Sequence, residues 1–250
     1  MPFAEESYSR TDTRKRTSAS YVKWSTDYRI VLRILNPNAK LVWKHWISEA
    51  NGGRGMMANC PNTGSQIRPC PIDKQIVGLD KTDPTYMERK AKKRFMVNVL
   101  DRTPVTVCNS CSNTTFGKKC QFCGADLRKA EFVPLNRVKI LEGGPQLFST
   151  TLNAVEDMQR EDFDVDITAY DINFTATGEG RDRKIAAIPQ PPSELPEEAF
   201  LDPETNEPQK LFDLDLLSEP NSVEEVELML QGATLDEINA VREPVAATAF

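Results

Sequence analysis

Residues 28–35 read Tyr-Arg-Ile-Val-Leu-Arg-Ile-Leu, and this stretch decides the fold. Apolar or aromatic side chains at positions 28, 30, 32 and 34 alternate with Arg29 and Arg33. Side chains two residues apart on an extended chain share one face of a sheet. The stretch therefore predicts a β-strand with one apolar face. The two arginines project together from the opposite face.

The neighbouring segments predict more strands and few helices. Asn36-Pro37-Asn38 marks a turn, and residues 41–47 and 93–100 predict a returning strand and a buried strand. Residues 170–177 and 184–188 predict a hairpin, and helices are expected near 83–93 and 146–158. About six short strands with α additions fit a mainly β, OB-like barrel, although the count alone also fits a sandwich.

Charge divides the chain into two parts that the net value of −6 hides. Residues 1–140 carry 25 Lys and Arg against 12 Asp and Glu, a net of +13, whereas residues 141–250 carry 6 against 25, a net of −19. A basic body predicts a polyanionic partner, and an acidic end predicts competition with that partner or recruitment of other proteins.

The sequence predicts a cytoplasmic protein without a membrane partner. No stretch approaches the ~18 consecutive apolar residues of a membrane helix, and residues 1–20 lack the apolar run of a signal peptide. In a reducing compartment, closely spaced cysteines are more often metal ligands than disulfides.

Four cysteines form a CxxC–x8–CxxC pattern, made of Cys108, Cys111, Cys120 and Cys123, inside an insertion at residues 104–130. Two such knuckles supply four thiolates for tetrahedral Zn²⁺, and four thiolates leave no open position for a catalytic water. The pattern predicts one structural zinc site. An Fe–S cluster and a redox dithiol remain alternatives. Four basic residues flank the knuckles: Lys118, Lys119, Arg128 and Lys129. Either they contact phosphate, or the zinc ion only stabilises the loop and these residues have no binding role.

A second, mixed set of ligands lies upstream. Cys60 and Cys70 follow the only histidine of the chain, His45, and Asp73 comes three residues after Cys70. Together these four residues predict a second zinc site. Two free thiols and a strand histidine are the competing interpretation.

Basic and aromatic residues interleave along the predicted strands, as in proteins that bind single-stranded nucleic acid. Cations contact the backbone in such proteins, and aromatic rings stack on bases. Core packing is the alternative role for each ring. The predicted DNA contacts are Tyr28, Arg29, Arg33, Trp43, Lys44, Trp46, Arg89, Lys90, Lys92, Lys93, Arg94 and Phe95.

Several motifs resemble the single-stranded-DNA-binding (helix-destabilising) proteins of tailed bacteriophages, of the gene-32 type. The resemblance covers roughly residues 21–190 and is carried by residues 92–101, 138–144 and 170–182, with a Cys-Pro…Cys-Pro-Ile segment at 60–72. It implies an OB fold, a zinc subdomain, and sequence-independent binding of single strands during DNA replication, recombination and repair. The four-cysteine insertion and Asp73, where relatives often have cysteine, depart from the family pattern.

The resemblance and the charge pattern together predict three parts. Residues 1–20 form a flexible basic arm, residues 21–190 form the OB-like core that binds single-stranded DNA and contains the zinc insertion, and residues 191–250 form a partly disordered acidic tail with short C-terminal helices. The tail is expected to contact replication or recombination proteins, and the protein to self-associate on DNA. Residues 191–250 carry a net charge of −13, with 2 Lys and Arg against 15 Asp and Glu, and are expected to occupy the basic groove when DNA is absent.

Two other functions compete with DNA coating. An enzyme is disfavoured because the chain has one histidine and no nucleophile or phosphate-loop motif, although Asp162, Asp164 and Asp166 alternate as in a metal-dependent nuclease. A zinc-ribbon adaptor that recruits replication or transcription partners is the second alternative.

Overall fold

The predicted strand at residues 28–35 forms as β1 (Ile30–Ile34) in a computed structural model of the chain. The structure describes residues 21–26, 28–62, 69–116, 119–128, 130–158, 166–178 and 183–241. The predicted basic arm at residues 1–20 lies outside these ranges. Ile30, Leu32 and Ile34 are buried as the alternation requires.

In the described residues, strands outnumber helices. The other strands are β2 (Lys40–Ile47), β3 (Met56–Asn59), β4 (Lys92–Asp101), β5 (Pro104–Val107), β6 (Thr114–Thr115), β7 (Val133–Pro134), β8 (Arg137–Gly143), β9 (Asp171–Thr177) and β10 (Lys184–Pro189). The helices are α1 (Pro71–Ile76), α2 (Pro84–Arg89), α3 (Pro145–Met158), α4 (Leu214–Ser218), α5 (Val223–Leu230) and α6 (Leu235–Val241), with 3-10 turns at Ile167–Ala169 and Glu197–Phe200.

The chain divides into two compact units. The first unit comprises residues 21–39 and 97–212, and the second comprises residues 40–96 and 213–241 among those described. β4 contributes Lys92–Met96 to the second unit and Val97–Asp101 to the first.

The first unit is built on antiparallel pairs between β10, β9, β1 and the second half of β4, and β8 also pairs with β4. Ile30 lies opposite Phe174, and Leu32 lies opposite both Ile172 and Asp101. The core is aliphatic and aromatic: Ile30, Leu32, Ile34, Val97, Val99, Leu141, Val155, Tyr170, Ile172 and Phe174.

The second unit pairs the first half of β4 with β2, and β2 with β3, all antiparallel. Helices α5 and α6 add Val226, Met229 and Ile238 to its core, beside Cys60 and Cys70. These helices therefore belong to the folded second unit.

The fold agrees with a mainly β protein but adds one qualification to the predicted barrel. Within the described residues the antiparallel sheet does not close into a barrel. The cysteine insertion forms a small three-stranded sheet of its own, ordered β6-β5-β7.

The acidic C-terminal segment contains short helices, as the sequence predicts, and these helices are packed into the fold. Ala199 is buried in the first unit with Leu100 and Val138. α4, α5 and α6 cover residues 214–241 with only short connections. Acidic composition suggested disorder, but the apolar residues of this segment recur at helical spacing and bury one face of each helix.

Candidate metal centres and nucleic-acid interface

Two tight turns carry the four cysteines of the insertion. At the first turn Cys108 N donates to Asn113 O across 3.0 Å, and Ser112 N donates to Cys108 O across 2.7 Å. At the second turn Cys120 N donates to Ala125 O across 2.8 Å, and a left-handed Gly124 (φ 75°) closes the turn. Each knuckle thus brings both of its sulfur atoms to one side.

The four sulfur atoms match the size of a tetrahedral metal site. The Sγ atoms of Cys108 and Cys123 lie 3.6 Å apart, as do those of Cys111 and Cys120. All four lie within 4.8 Å of one another. Metal–sulfur bonds of about 2.3 Å at tetrahedral angles require sulfur atoms about 3.8 Å apart, so an ion fits with small adjustments.

Hydrogen bonds favour the thiolate form at the first knuckle. The Asn113 side chain and backbone lower the pKa of Cys111 to about 6, and the backbone at Ser110 lowers the pKa of Cys108. Because the thiolate is the metal ligand, these bonds prepare the site for a cation.

The second cluster joins three elements of the second unit. His45 lies on β2, Cys60 follows β3, and Cys70 and Asp73 lie at and just after the start of α1. Cys70 Sγ is 3.5 Å from His45 Nε2, Cys60 Sγ is 3.9 Å from Asp73 Oδ2, and His45 Nε2 is 3.7 Å from Asp73 Oδ1. When one tetrahedral ion binds a nitrogen at about 2.05 Å and a sulfur at about 2.3 Å, the nitrogen and the sulfur lie about 3.6 Å apart. The distance of 3.5 Å between Cys70 Sγ and His45 Nε2 agrees with this value.

Two outer contacts orient the ligands of this cluster. The Nδ1 atom of His45 lies 2.6 Å from the main-chain oxygen of Arg89, so Nδ1 donates and Nε2 is the nitrogen that faces Cys70 and Asp73. Asn62 Nδ2 donates to Asp73 Oδ2 across 2.6 Å and fixes the carboxylate.

The two thiols of this cluster differ in acidity. A hydrogen bond from Cys60, together with one from His45, lowers the pKa of Cys70 to about 5 against the opposing effect of burial. The same bond to Cys70, together with burial, raises the pKa of Cys60. Burial works to lower the pKa of His45, but its hydrogen bonds to Cys70 and Arg89 raise it overall. One thiolate is therefore ready for a cation, and a metal would displace the second proton.

The acidic C-terminal segment contacts this cluster through hydrogen bonds and apolar packing. Asn59 precedes Cys60, and its backbone N–H donates to Asn221 Oδ1 across 2.7 Å. The Asn59 side chain donates to Leu217 O and Glu219 O. Val226 and Met229 pack in the same core cluster as Cys60 and Cys70.

Among the predicted DNA contacts of the first unit, only Arg29 is exposed. Tyr28 stacks face to face on Phe116 of the cysteine insertion, with ring centroids 4.3 Å apart. Arg33 is not exposed at the surface as Arg29 is. Arg33 is 2 % exposed, pairs with Asp171 at 2.8 Å and also donates to Ser193. This ion pair offsets the cost of removing the charge from water.

Cations and rings share one sheet face in the second unit. Trp43 on β2 lies opposite Lys93 on β4, and Leu41 lies opposite Phe95. The Lys93 Nζ atom sits 5.3 Å from the centre of the Trp43 ring. Residues two apart share a face, so Leu41, Trp43, Lys93 and Phe95 form one surface, which we call the Trp43 face. Lys92 is also exposed, on the opposite side of β4 from Lys93.

Three other predicted DNA contacts of the second unit lie largely inside the protein. Lys44 is only 3 % exposed. Trp46 covers Gly55, which has a left-handed φ of 77° and where an added Cβ would lie 2.1 Å from the ring. Arg94 is half-buried, and its Nε is buried without a hydrogen-bond partner.

The two cations of α2 and its C-terminus have local partners. Arg89 forms an ion pair with Glu49 and a hydrogen bond with Gln75. Lys90 Nζ lies 6.0 Å from the centre of the Tyr86 ring and 3.4 Å from Met87 Sδ. Both side chains remain half-buried.

An acidic segment lies beside the Trp43 face. A cleft of about 590 Å³ is lined by Lys40–Trp43 and Cys60 on one side and by Asp213, Asp215 and Glu219 on the other. Lys40 forms an ion pair with Asp215. Carboxylates thus line one side of this cleft, and Trp43 lines the other.

Sequence patterns missed the residues that orient the sites. Asn62, Asn59 and the Arg89 carbonyl act through single hydrogen bonds, which leave no periodic signal. Phe116 had one clue, because an aromatic residue directly after a two-residue strand needs a packing partner.

Comparisons with known proteins do not assign the chain to a family. No protein-family model matches it, and no curated protein sequence matches it significantly. The resemblance to gene-32-type proteins therefore stays a prediction. In the part of the chain that the structure describes, no helix has the length and apolar character to cross a bilayer.

Proposed function

We propose that this protein coats single-stranded DNA without sequence preference, in the replication and recombination of a phage-type genome. The observation that carries the proposal is the cross-strand pair of Lys93 and Trp43. A cation beside a partly exposed ring on an accessible sheet face gives a phosphate contact next to a stacking platform. Leu41 and Phe95 extend the same surface with apolar area.

Both ligand clusters would hold structural Zn²⁺. The sulfur spacing at Cys108, Cys111, Cys120 and Cys123 and the orientation of His45 by Arg89 support this. Four protein ligands at each cluster leave no position for a catalytic water, so the ions would stabilise folding rather than chemistry. An OB-like topology remains part of the proposal, supported by the antiparallel strands around β1 and β4 in the first unit.

The acidic segment would regulate access to DNA. Asp213, Asp215 and Glu219 line the cleft beside Trp43 and lie close to Lys40. These carboxylates would compete with phosphate for the same cations, which extends the predicted role of the acidic end to a specific helix, α4.

The test is binding of labelled oligo-dT to the full chain at several salt concentrations. Lys93→Ala should weaken binding and reduce the slope of log affinity against log salt by about 0.7, the contribution of one phosphate contact on a single strand. Lys81→Ala is the matched control, since Lys81 is exposed but precedes α2 and lies off the Trp43 face. Equal effects of both variants, or tighter binding of duplex than of single strands, would refute the proposal.

A zinc-ribbon adaptor remains the second candidate because the cysteine insertion exposes apolar side chains. Val107 is 48 % exposed and Val133 is 41 % exposed, and the alternation along β5 puts both on one face of the small sheet. Absence of oligo-dT binding at low salt by the zinc-loaded chain would favour the adaptor. The nuclease alternative has less support: Asp166 caps the turn at Ile167–Ala169 by accepting from Thr168 N, and Asp162 and Asp164 lie outside the described residues.

A further inference from the structure

The second knuckle of the cysteine insertion displays an aromatic ring that its own fold does not use. Phe122 lies between Cys120 and Cys123 and is 66 % exposed, more than any other aromatic side chain in the described ranges. The interior of the insertion is formed by Cys108, Cys120 and Leu127 with smaller side chains around them. Phe122 is not part of this core cluster, so the ring is available for an intermolecular contact.

Hydrogen bonds of the knuckle fix the backbone that carries this ring. Cys120 N donates to Ala125 O across 2.8 Å, Gly124 N donates to Cys120 O across 2.9 Å, and Lys119 and Asp126 form a β-bridge at the base of the turn. Metal bonds to Cys120 and Cys123 would immobilise the residues around Phe122 further. A contact made by a pre-organised side chain loses little conformational entropy.

The charges around the ring favour a nucleic-acid strand as its partner. Residues 104–136 contain four Lys and Arg against two Asp and Glu. Asp126 is already paired with Arg128, through Nε contacts of 3.0 and 2.8 Å. Lys119, directly before Cys120, is exposed. The net charge of +2 over residues 104–136 equals in size the net charge of −2 that a zinc ion with four thiolates would carry, so the segment as a whole would not strongly repel phosphate.

We propose that Phe122 stacks on a base of single-stranded DNA and that Lys119 contacts a neighbouring phosphate. This inference rests on the proposed function and adds a contact site in the first unit to the Trp43 face in the second. Stacking on one exposed ring contributes about 1–3 kcal/mol and is insensitive to base identity. The cysteine insertion would then bind DNA directly instead of only stapling a loop.

The test compares two exposed rings of the insertion in the full, zinc-loaded chain. Phe122→Ala should weaken oligo-dT binding about five-fold or more, with an unchanged salt slope because the ring carries no charge. Phe122→Tyr should restore binding. Lys119→Ala should reduce the slope by about 0.7. Phe132→Ala is the control, since Phe132 is 54 % exposed but lies outside both knuckles, and it should bind like the unmodified chain.

A second readout separates the two proposals. Phe122→Trp with all three natural tryptophans replaced by Phe should show fluorescence quenching by oligo-dT. If Phe122→Ala and Phe132→Ala both bind normally while Lys93→Ala is weakened, Phe122 is not a DNA contact, although the proposed function survives. If no variant changes binding, the proposed function fails as well. Zinc content must stay unchanged in every variant, which shows that the knuckle remains folded.

Discussion

The imidazole of His45 donates from Nδ1 to the main-chain oxygen of Arg89 across 2.6 Å. This bond joins a member of the second candidate metal cluster to the residue that ends α2, three positions before β4 begins at Lys92. Metal binding at Nε2 would therefore also hold the start of the strand that carries Lys92 and Lys93. The second cluster and the start of β4, with Lys92 and Lys93, are therefore expected to form together.

Replacing His45 with Ala tests this link. The variant should lose about one zinc ion per chain, because a ligand disappears, and oligo-dT binding should weaken severalfold because the start of β4 is no longer held. Zinc content by mass spectrometry and oligo-dT titration measure both effects. Cys108→Ser is the comparison, since it should lose the other ion and leave the link to Arg89 intact. Unchanged zinc content in His45→Ala would show that the cluster binds no metal.

Asp73→Cys should strengthen metal binding at the second cluster. A thiolate is a softer donor than a carboxylate and suits Zn²⁺ better beside one histidine and two cysteines. We expect an increase in affinity of about tenfold or more in competition with a chelator. Asp73→Asn should instead weaken binding because it removes the charge. Equal affinities for the three proteins would mean that Asp73 is not a ligand.

Neutralising the acidic side of the cleft should tighten DNA binding. The test variant combines Asp213→Asn, Asp215→Asn and Glu219→Gln. It lacks the carboxylates that compete with phosphate near Lys40, so its oligo-dT affinity should rise severalfold, most strongly at low salt. The control replaces Glu194, Glu197 and Glu198 with Gln, three exposed residues of the first unit with the same total charge. An equal gain in the control would attribute the effect to net charge alone.

Arg33→Met should destabilise the protein rather than change its DNA contacts. Asp171 keeps its ion pair with Arg102, so the variant loses the buried hydrogen bonds of Arg33 to Asp171 and Ser193. Leaving these buried acceptors without Arg33 should cost about 1–3 kcal/mol in the free energy of unfolding. Urea denaturation measures the change. Arg29→Met, at an exposed position, should alter stability by no more than about 0.5 kcal/mol. A stable Arg33→Met protein with a reduced salt slope of DNA binding would contradict this role.

Short-range patterns predicted much of this structure. Alternation identified β1, β9 and β10, and cysteine spacing identified the four ligands of the insertion, because both signals depend on neighbours along the chain. His45, Cys60, Cys70 and Asp73 were also grouped correctly, and their ligand atoms lie within 4.8 Å of one another.

Patterns failed where long-range packing decides. Arg33 has the sequence context of an exposed strand residue, and only its pairing with Asp171, 138 residues later, buries it. The short C-terminal helices were expected from the Ser222 and Glu225 capping box, but their role was not: Met229 and Ile238 are fully buried in the core of the second unit. A truncation at residue 190 would therefore remove part of that core, and point substitutions test the acidic end more cleanly.

The most direct test of DNA coating uses Trp43 as its own reporter. In the variant Trp24→Phe, Trp46→Phe, Trp43 is the only tryptophan left, and stacking of bases on it should quench its fluorescence as oligo-dT is added. Lys93→Ala in the same background should need more oligo-dT to reach the same quenching. Binding of oligo-dT that leaves Trp43 emission unchanged, or no binding at low salt, would contradict the proposed interface.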